Sequence, residues 1–243
     1  MNKKIYQSII NNKKKIAVLI DPDKLNYTSV FEIIELSEKA NVDFLFIGGS
    51  IISKPIDNFI LQIKNRTKIP LVLFPGSLLQ LSTNLDAILL LSLISGRNPD
   101  LLIGNHVLAA HHIKNSGIEV LSTGYILING GETTSVEYIS NTIPIPYKKS
   151  DIAVSTAIAG ELLGNKLIYL EAGSGAKQTV SADMIKKVKA NINIPLIVGG
   201  GIKTKEQAIN ICKAGADVIV VGNIFEKNKK LIQEITNAVH NLF

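Results

Sequence analysis

The sequence predicts an α/β protein built as a single (β/α)8, or TIM, barrel domain over residues 1–243. Apolar runs rich in Val, Ile and Leu alternate with segments of helical periodicity, and the runs count up to eight. Most runs end in Gly, Ser, Asp or Glu, as expected at the carboxyl ends of barrel strands, where active sites lie. The length of 243 residues, with 46% hydrophobic content, also suits one barrel.

The first four strands are predicted from the amino-terminal half of the chain. KIAVLIDPD ends in Asp21 and Asp23, a helix over 27–40 follows, and VDFLFIGGS brings Ser50 to the second strand end. After a helix over 56–63, IPLVLFPGS leads through a short Ser-rich connection to AILLLSLIS. That connection is brief for a crossover helix, so we predict that the third outer helix is reduced or replaced. The gap would leave an apolar groove lined by Leu78, Leu79 and Leu81.

The second half supplies four more strands. A helix over 105–116 precedes the fifth strand, EVLSTGYILI, and residues 129–150 are predicted to form a long loop over the catalytic face. A helix over 151–163 leads to the sixth strand, KLIYLEAGS. The last two strands, PLIVGGGI and DVIVVGNIF, are separated by a helix over 205–214, and a final helix is expected over 228–242.

Three side chains at these strand ends are candidates for chemistry. Glu171 lies in an apolar strand, and burying a carboxylate is costly unless it is paired or functional, so we predict a chemical role, with a structural ion pair as the alternative. Asp21 ends the first strand on the catalytic face, although Asp before Pro also starts turns. The Ser50 hydroxyl could reach a metal or a phosphate, or could cap a helix.

The glycines that end the last two strands predict a phosphate site. Gly199, Gly200 and Gly201 follow the seventh strand, and Gly222 with Asn223 follows the eighth. Glycine lets backbone N–H groups approach an anion without obstruction by a Cβ atom. Either motif alone would also suit a tight turn, but two such motifs one helix apart favour a phosphorylated substrate.

Composition argues against several other functions. The net charge is +6, but all except two of the 26 basic residues are lysines, scattered rather than interleaved with aromatic residues, so we expect no nucleic-acid partner. His106, His111 and His112 lack a Glu or Cys partner at zinc-ligand spacing. One cysteine excludes an internal disulfide, and the absence of a signal peptide or bilayer-length apolar run favours a cytoplasmic protein without an integral membrane segment.

Six strand-end motifs can be compared together with known families. They are DPDK at 21–24, GGS at 48–50, FPGS at 74–77, YLEAGSG at 169–175, GGG at 199–201 and VGN at 221–223. This set, which covers nearly the whole chain, resembles that of the geranylgeranylglyceryl phosphate synthases, and YLEAGSG is its most specific part. Ala172–Gly173 in that motif favours this branch over the heptaprenylglyceryl phosphate synthases, which are similar to it and usually have a bulkier aromatic residue there.

The resemblance implies a prenyltransferase that forms an ether bond between sn-glycerol 1-phosphate and geranylgeranyl diphosphate with the help of Mg²⁺, in membrane ether-lipid synthesis. It implies that Asp21 and Ser50 form the magnesium site and that Glu171 is the catalytic base. The prenyl tail would lie in the groove beside the reduced third crossover. The implied glycerol phosphate site consists of Tyr169, Leu170, Glu171, Ala172, Gly173, Ser174, Gly175, Gly200, Gly201, Gly222 and Asn223.

Two alternatives stay open at this point. One is a heptaprenylglyceryl phosphate synthase with a longer donor, and the other is a phosphosugar isomerase or lyase on the same phosphate-binding barrel, which would need no diphosphate metal site. An apolar open side also predicts a homo-oligomer. Product release would involve a transient contact with the membrane surface.

Overall fold

Eight parallel strands close into a barrel in sequence order, which confirms the predicted fold class. The structure is a computed structural model that describes residues 4–53 and 55–242. The barrel closes where β1 pairs with β8, from Lys15 opposite Val218 to Val18 opposite Val221. The strands are β1 Lys15–Ile20, β2 Phe44–Ile47, β3 Leu71–Leu73, β4 Ala87–Leu93, β5 Glu119–Leu127, β6 Leu167–Glu171, β7 Leu196–Gly199 and β8 Val218–Val221.

The outer layer of helices follows the prediction over most of the chain. The described α-helices are α1 Lys4–Ile9, α2 Tyr27–Ala40, α3 Ile56–Lys64, α4 Asn105–Ser116, α5 Ser135–Ser140, α6 Ser150–Leu162, α7 Ala182–Ala190, α8 Lys205–Ala214, α9 Asn223–Lys227 and α10 Leu231–His240. A π-helical turn, Asp100–Gly104, leads directly into α4. Between β3 and β4 the described chain forms only a 3-10 turn, Leu78–Gln80, so the third crossover helix is replaced as predicted.

Two predictions about the connections are wrong in part. The final helix begins at Leu231 rather than at residue 228, because the chain first forms the separate short helix α9 directly after β8. The predicted loop over 129–150 contains helix α5, which Thr134 caps by accepting a hydrogen bond from the Glu137 N–H. The Thr- and Pro-rich composition of that segment predicts a loop, and a helix of only six residues is too short to give a clear periodic pattern.

The core has two layers, one inside the barrel and one between the barrel and the helices. Along β6, Leu167 and Tyr169 point into the barrel, whereas Ile168 and Leu170 pack against the helices, as the two-residue period of a strand requires. Helix α1 joins the inner layer, and the Glu119 carboxylate accepts the N–H groups of its residues Ile5 and Tyr6 at 2.9 Å each. Because Glu119 begins β5, α1 lies at the amino end of the barrel.

A charged cluster ties β1, β2 and α10 together at the same amino end. The Asp43 carboxylate accepts hydrogen bonds from Lys15 Nζ at 2.9 Å, from the Ile16 N–H at 2.9 Å and from His240 Nε2 at 2.8 Å. Burial raises the pKa of Asp43, but the hydrogen bonds from His240, Lys15 and Ile16 outweigh it and lower the pKa below its ordinary value. Within residues 4–53 and 55–242, no helix has the length and apolar character needed to cross a bilayer.

Candidate active site

A cavity of about 710 Å³ lies at the carboxyl ends of the barrel strands. Ten of the residues predicted from the sequence line it, although they come from distant parts of the chain. This arrangement follows from the parallel barrel, in which every strand ends at the same face. The ten are Asp21, Ser50, Tyr169, Glu171, Ser174, Gly175, Gly200, Gly201, Gly222 and Asn223.

The other three residues of the predicted glycerol phosphate site do not line the cavity. Leu170 and Ala172 are fully buried in the layer between the barrel and the helices, because they alternate with the inward-facing Tyr169 and Glu171. Gly173 has φ +99°, and a Cβ atom there would stand 2.2 Å from Cγ2 of Thr134, the residue that caps α5. Gly173 therefore allows the β5–α6 loop to close against the end of β6.

Glu171 is buried at the end of β6, with 6% of its surface exposed. Burial raises its pKa from 4.5 to about 7, against the opposing effects of the Gly173 N–H, which donates to Oε1 at 2.7 Å, and of the Tyr169 hydroxyl. The described residues provide no salt-bridge partner for this carboxylate, so the structural ion pair considered above is not found. A carboxyl group that ionises near neutral pH suits proton transfer.

The Tyr169 hydroxyl lies beside this carboxylate. Both groups approach Gly199, where an added Cβ would stand 2.3 Å from the hydroxyl oxygen and 2.9 Å from Glu171 Oε2. The ring is held by stacking on Phe74, with centroids 5.5 Å apart, and by an edge contact with Tyr125 at 5.2 Å. The buried hydroxyl makes no hydrogen bond of good geometry among the described residues, but it faces the Glu171 carboxylate and helps to lower the pKa of that group.

The glycine-rich strand ends lie together around Glu171. Gly175, Gly200 and Gly201 have φ of +79°, +85° and +71°, conformations that favour glycine. A Cβ at Gly200 would stand 2.4 Å from Glu171 Oε1, so this glycine is required by the carboxylate itself as well as by any anion. The Ser174 hydroxyl donates to Asn223 Oδ1 at 3.1 Å and joins the loop after β6 to the start of α9.

Asp21 and Ser50 lie on the cavity wall beyond β1 and β2. Asp21 is 8% exposed, accepts the Asp23 N–H at 3.1 Å and pairs with Lys24 Nζ at 3.1 Å. A Cβ at Gly49 would stand 2.8 Å from Asp21 Oδ2, so the GGS loop packs directly on the carboxylate. Carboxylate and hydroxyl oxygens are ligands that Mg²⁺ prefers. The described residues include no group of three or more His, Cys, Asp or Glu able to hold a metal, so further ligands would come from substrate or water.

An apolar arm of the cavity extends past the 3-10 turn toward α4 and α5. The predicted groove is correct for Leu78 and Leu81, which line the arm, but wrong for Leu79, which is 91% exposed. The Leu79 side chain points to solvent because the tight turn directs successive residues to different sides. The other apolar residues of the arm include Ile88, Leu90, Leu91, Leu93, Leu101, Ala109, Ile113, Val136 and Ile139.

A model of the PcrB family matches residues 8–239. The chain belongs to the PcrB family. It is 52% identical to the geranylgeranylglyceryl phosphate synthase of Chitinophaga pinensis, over 99% of this chain and 97% of that relative. It is 46% identical to the geranylgeranylglyceryl phosphate synthase of Spirosoma linguale, over 95% and 93% of the two chains. The resemblance inferred from the strand-end motifs is confirmed.

A solved structure agrees with this family assignment. The (S)-3-O-geranylgeranylglyceryl phosphate synthase of Thermoplasma acidophilum, crystallised in complex with its substrate sn-glycerol-1-phosphate, superposes with a TM-score of 0.92 at 32% identity. The match covers 99% of this chain and 98% of that one. The two proteins therefore share one fold over nearly the whole of both chains.

Polar residues outside the predicted site also line the cavity, and three of them bear on its chemistry. Lys203 follows the GGG motif by two residues and donates through Nζ to the Ala176 carbonyl at 3.0 Å. Glu226 lies in α9, and burial raises its pKa, with Lys24 opposing and Asp21 reinforcing the shift. His106 was considered only as a zinc ligand, yet its Nε2 lies 3.3 Å from Ser92 Oγ on the apolar arm. Only the GGGIK spacing could have indicated one of them, Lys203.

Proposed function

We propose that this chain is a prenyltransferase that forms an ether bond between sn-glycerol 1-phosphate and geranylgeranyl diphosphate, releasing diphosphate. One observation carries the proposal: a single cavity joins an anion-binding end, a carboxyl group with a pKa of about 7 and a long apolar arm. The names of relatives up to 52% identical, and the glycerol phosphate bound in the Thermoplasma acidophilum enzyme, support the same substrates.

The acceptor would bind where the loops after β6, β7 and β8 meet. Backbone N–H groups around Gly200, Gly201 and Gly222 are free of side-chain obstruction, and Lys203 adds a positive charge on the same wall. With the phosphate held there, the glycerol hydroxyl would reach Glu171. The Glu171 carboxylate would then take the proton of that hydroxyl as its oxygen attacks the first carbon of the prenyl chain.

The donor would bind with its diphosphate near Asp21 and Ser50 and its tail in the apolar arm. The oxygen atoms of these two residues suit Mg²⁺, and the ion when bound would stabilise negative charge on the departing diphosphate. Lys24, paired with Asp21 at 3.1 Å, would supply a further positive charge beside the same group. The apolar residues of the arm would exclude water from the reacting carbon.

The alternatives differ at the apolar arm. A phosphosugar isomerase or lyase would use the glycine-rich end and Glu171, but its polar substrate would not bind along leucine and isoleucine side chains. The apolar arm therefore favours a prenyl donor. A heptaprenyl donor would use the same groups with a longer tail. A homo-oligomer and a transient contact with the membrane surface during product release stay predictions.

Product analysis tests the proposal directly. The protein would be mixed with sn-glycerol 1-phosphate, Mg²⁺ and prenyl diphosphates of several lengths, and the products separated by mass. We expect geranylgeranylglyceryl phosphate as the main product, and none in excess chelator. A heptaprenyl product in preference would select the longer-donor alternative. Absence of any prenylated product, together with turnover of a phosphosugar, would replace the proposal with the isomerase.

A further inference from the structure

The buried side-chain amide of Gln80 is hydrogen-bonded to two loops of the candidate site. Gln80 ends the 3-10 turn that replaces the third crossover helix, and only 2% of its surface is exposed. Its Nε2 donates to the Gly49 carbonyl at 2.8 Å, and its Oε1 accepts the Gly76 N–H at 3.0 Å. One side chain therefore joins the GGS loop after β2 to the FPGS loop after β3.

The two loops meet closely enough that both need glycine at the contact. A Cβ at Gly76 would stand 2.3 Å from the Gly49 carbonyl oxygen and 2.9 Å from the Ser50 carbonyl oxygen. A Cβ at Gly48, where φ is +154°, would stand 1.9 Å from the Phe74 carbonyl oxygen. Backbone packs on backbone here without intervening side chains. The Phe74 N–H donates to the Ile47 carbonyl at 2.9 Å at the base of the two loops, and the Gln80 amide adds the two hydrogen bonds farther along them.

The GGS loop in turn packs on the residue proposed to bind the donor's metal ion. Gly49 lies against the Asp21 carboxylate, and Ser50 is the next residue along the chain. The position of Ser50 relative to Asp21 therefore depends on Gly49, whose carbonyl is held by Gln80, together with the Gly48 N–H, which donates to the Ile20 carbonyl at 3.1 Å. A shift of this loop by a few tenths of an ångström would change the spacing of the two oxygen donors.

We propose that Gln80 is a positioning residue for the donor half of the site: its amide holds Gly49 and Ser50 at the distance from Asp21 that the donor diphosphate and its Mg²⁺ require. The inference rests on the proposed function, which places that diphosphate at Asp21 and Ser50. It concerns the donor alone, because the glycine-rich loops after β6, β7 and β8 make no hydrogen bond to Gln80 among the described residues.

The chemistry of the bridge explains why a glutamine stands here. The Gly49 carbonyl needs a donor and the Gly76 N–H needs an acceptor, and a neutral amide supplies both at fixed separation. An ionised glutamate would keep the acceptor but place a negative charge against the Gly49 carbonyl oxygen, whereas methionine, of similar length, would lose both the donor and the acceptor. Either change leaves at least one of these two backbone groups without its side-chain partner.

Calorimetry on Gln80→Met and Gln80→Glu tests the inference without relying on turnover. Geranylgeranyl diphosphate would be titrated with Mg²⁺ in the absence of acceptor, and sn-glycerol 1-phosphate in the absence of donor. We expect the Gln80→Met dissociation constant for the donor to rise about 10- to 100-fold, the usual effect of losing a group that orients metal ligands. The acceptor constant should change by less than about twofold, as expected for separated sites. Gln80→Glu should give the same pattern, because an ionised carboxylate repels the Gly49 carbonyl oxygen.

Ser37→Ala is the matched control for a general loss of stability. The buried Ser37 hydroxyl donates to the Ile33 carbonyl at 2.7 Å within α2, and neither residue lines the cavity. This variant should lower the melting temperature and leave both constants unchanged.

Two results would overturn the inference: unchanged donor affinity in both Gln80 variants, or equal weakening of donor and acceptor. If Gln80→Met fails to fold, Gln80→Glu decides by the same criteria. Failure of the native protein to bind the donor with Mg²⁺ would instead contradict the proposed function.

Discussion

Glu171→Gln removes the proposed base while preserving its shape. The amide oxygen can still accept the Gly173 N–H that now donates to Oε1 at 2.7 Å, so the backbone at the end of β6 should stay in place. The variant cannot take a proton from the glycerol hydroxyl, and we expect turnover to fall about 10²- to 10⁴-fold. Acceptor binding should be largely kept, because the phosphate is held by other residues.

The pH dependence gives a sharper test of the same residue. With a pKa of about 7, Glu171 is a competent base only above neutral pH, so kcat/KM of the native enzyme should rise with pH and level off above about 7. A glutamate of ordinary pKa 4.5 would place this rise more than two pH units lower. The residual activity of Glu171→Gln should show no rise of this kind.

Burial of Glu171 also links its ionisation to stability. Its pKa is raised in the folded state, so the protonated carboxyl group stabilises the fold most below about pH 4.5. This stabilisation is lost as the pH rises through about 7, and the stability no longer changes with pH above that. A shift from 4.5 to about 7, at about 1.4 kcal/mol per unit, corresponds to about 3 kcal/mol. Glu171→Gln should therefore gain about 2 to 3 kcal/mol relative to the native protein between pH 5 and pH 8.5.

Product formation across pH and urea unfolding at those two pH values are the assays. Near-normal turnover in Glu171→Gln, or a native profile that levels off below pH 5.5, would refute the assignment of Glu171 as a base of raised pKa. A stability difference that does not change with pH would show that the carboxylate is not held in a desolvated site.

Three further outcomes are expected. Asp21→Asn should abolish Mg²⁺-dependent transfer and change acceptor affinity by at most about tenfold, or about 1.4 kcal/mol, and full activity in this variant would remove the metal site from the mechanism. Gly222→Val should weaken glycerol phosphate binding in calorimetry, and unchanged affinity would place the phosphate elsewhere. A Cβ at Gly222 would stand 3.3 Å from the Cβ and backbone O atoms of Leu19, a tight contact to which Leu19 must adjust, so the melting temperature is measured beside the affinity. Asp43→Asn should lower the free energy of unfolding, measured in urea at pH 7, by about 1 to 3 kcal/mol. This difference should shrink in acid, because the pKa of Asp43 is lowered in the folded state and its stabilising effect is lost once the carboxylate is protonated. A loss that does not depend on pH would contradict the role of the charged cluster.

A valine substitution at Gly200 would affect more than the phosphate site. The glycine run alone suggests that a valine there would block only the phosphate. The structure shows that its Cβ would stand 2.4 Å from Glu171 Oε1 and 2.6 Å from the Gly173 N atom, at φ +85°. Gly200→Val would therefore disturb the proposed base as well as the acceptor site, whereas Gly222→Val tests the phosphate contact more cleanly.

The sequence by itself determined the barrel, its missing third crossover helix and the candidate catalytic and anion-binding residues of the cavity wall. These features are local: the apolar runs define the strands, and each strand carries its polar residue or glycine at its own carboxyl end. Once a parallel barrel is inferred, all such ends must meet at one face. Asp21, Ser50, Glu171 and the glycine motifs were found in this way.

Tertiary structure alone decided which members of the motifs face the cavity and what holds them there. The YLEAGSG string does not reveal that Leu170 and Ala172 pack outward, because the direction of a strand's pleat depends on the closed barrel. Nothing near Gln80 in the sequence indicates that its amide joins Gly49 to Gly76, and nothing near Glu226 indicates its closeness to Asp21. Gln80 reaches Gly49 only once β2 and β3 lie side by side, and Glu226 comes close to Asp21 only once β8 pairs with β1.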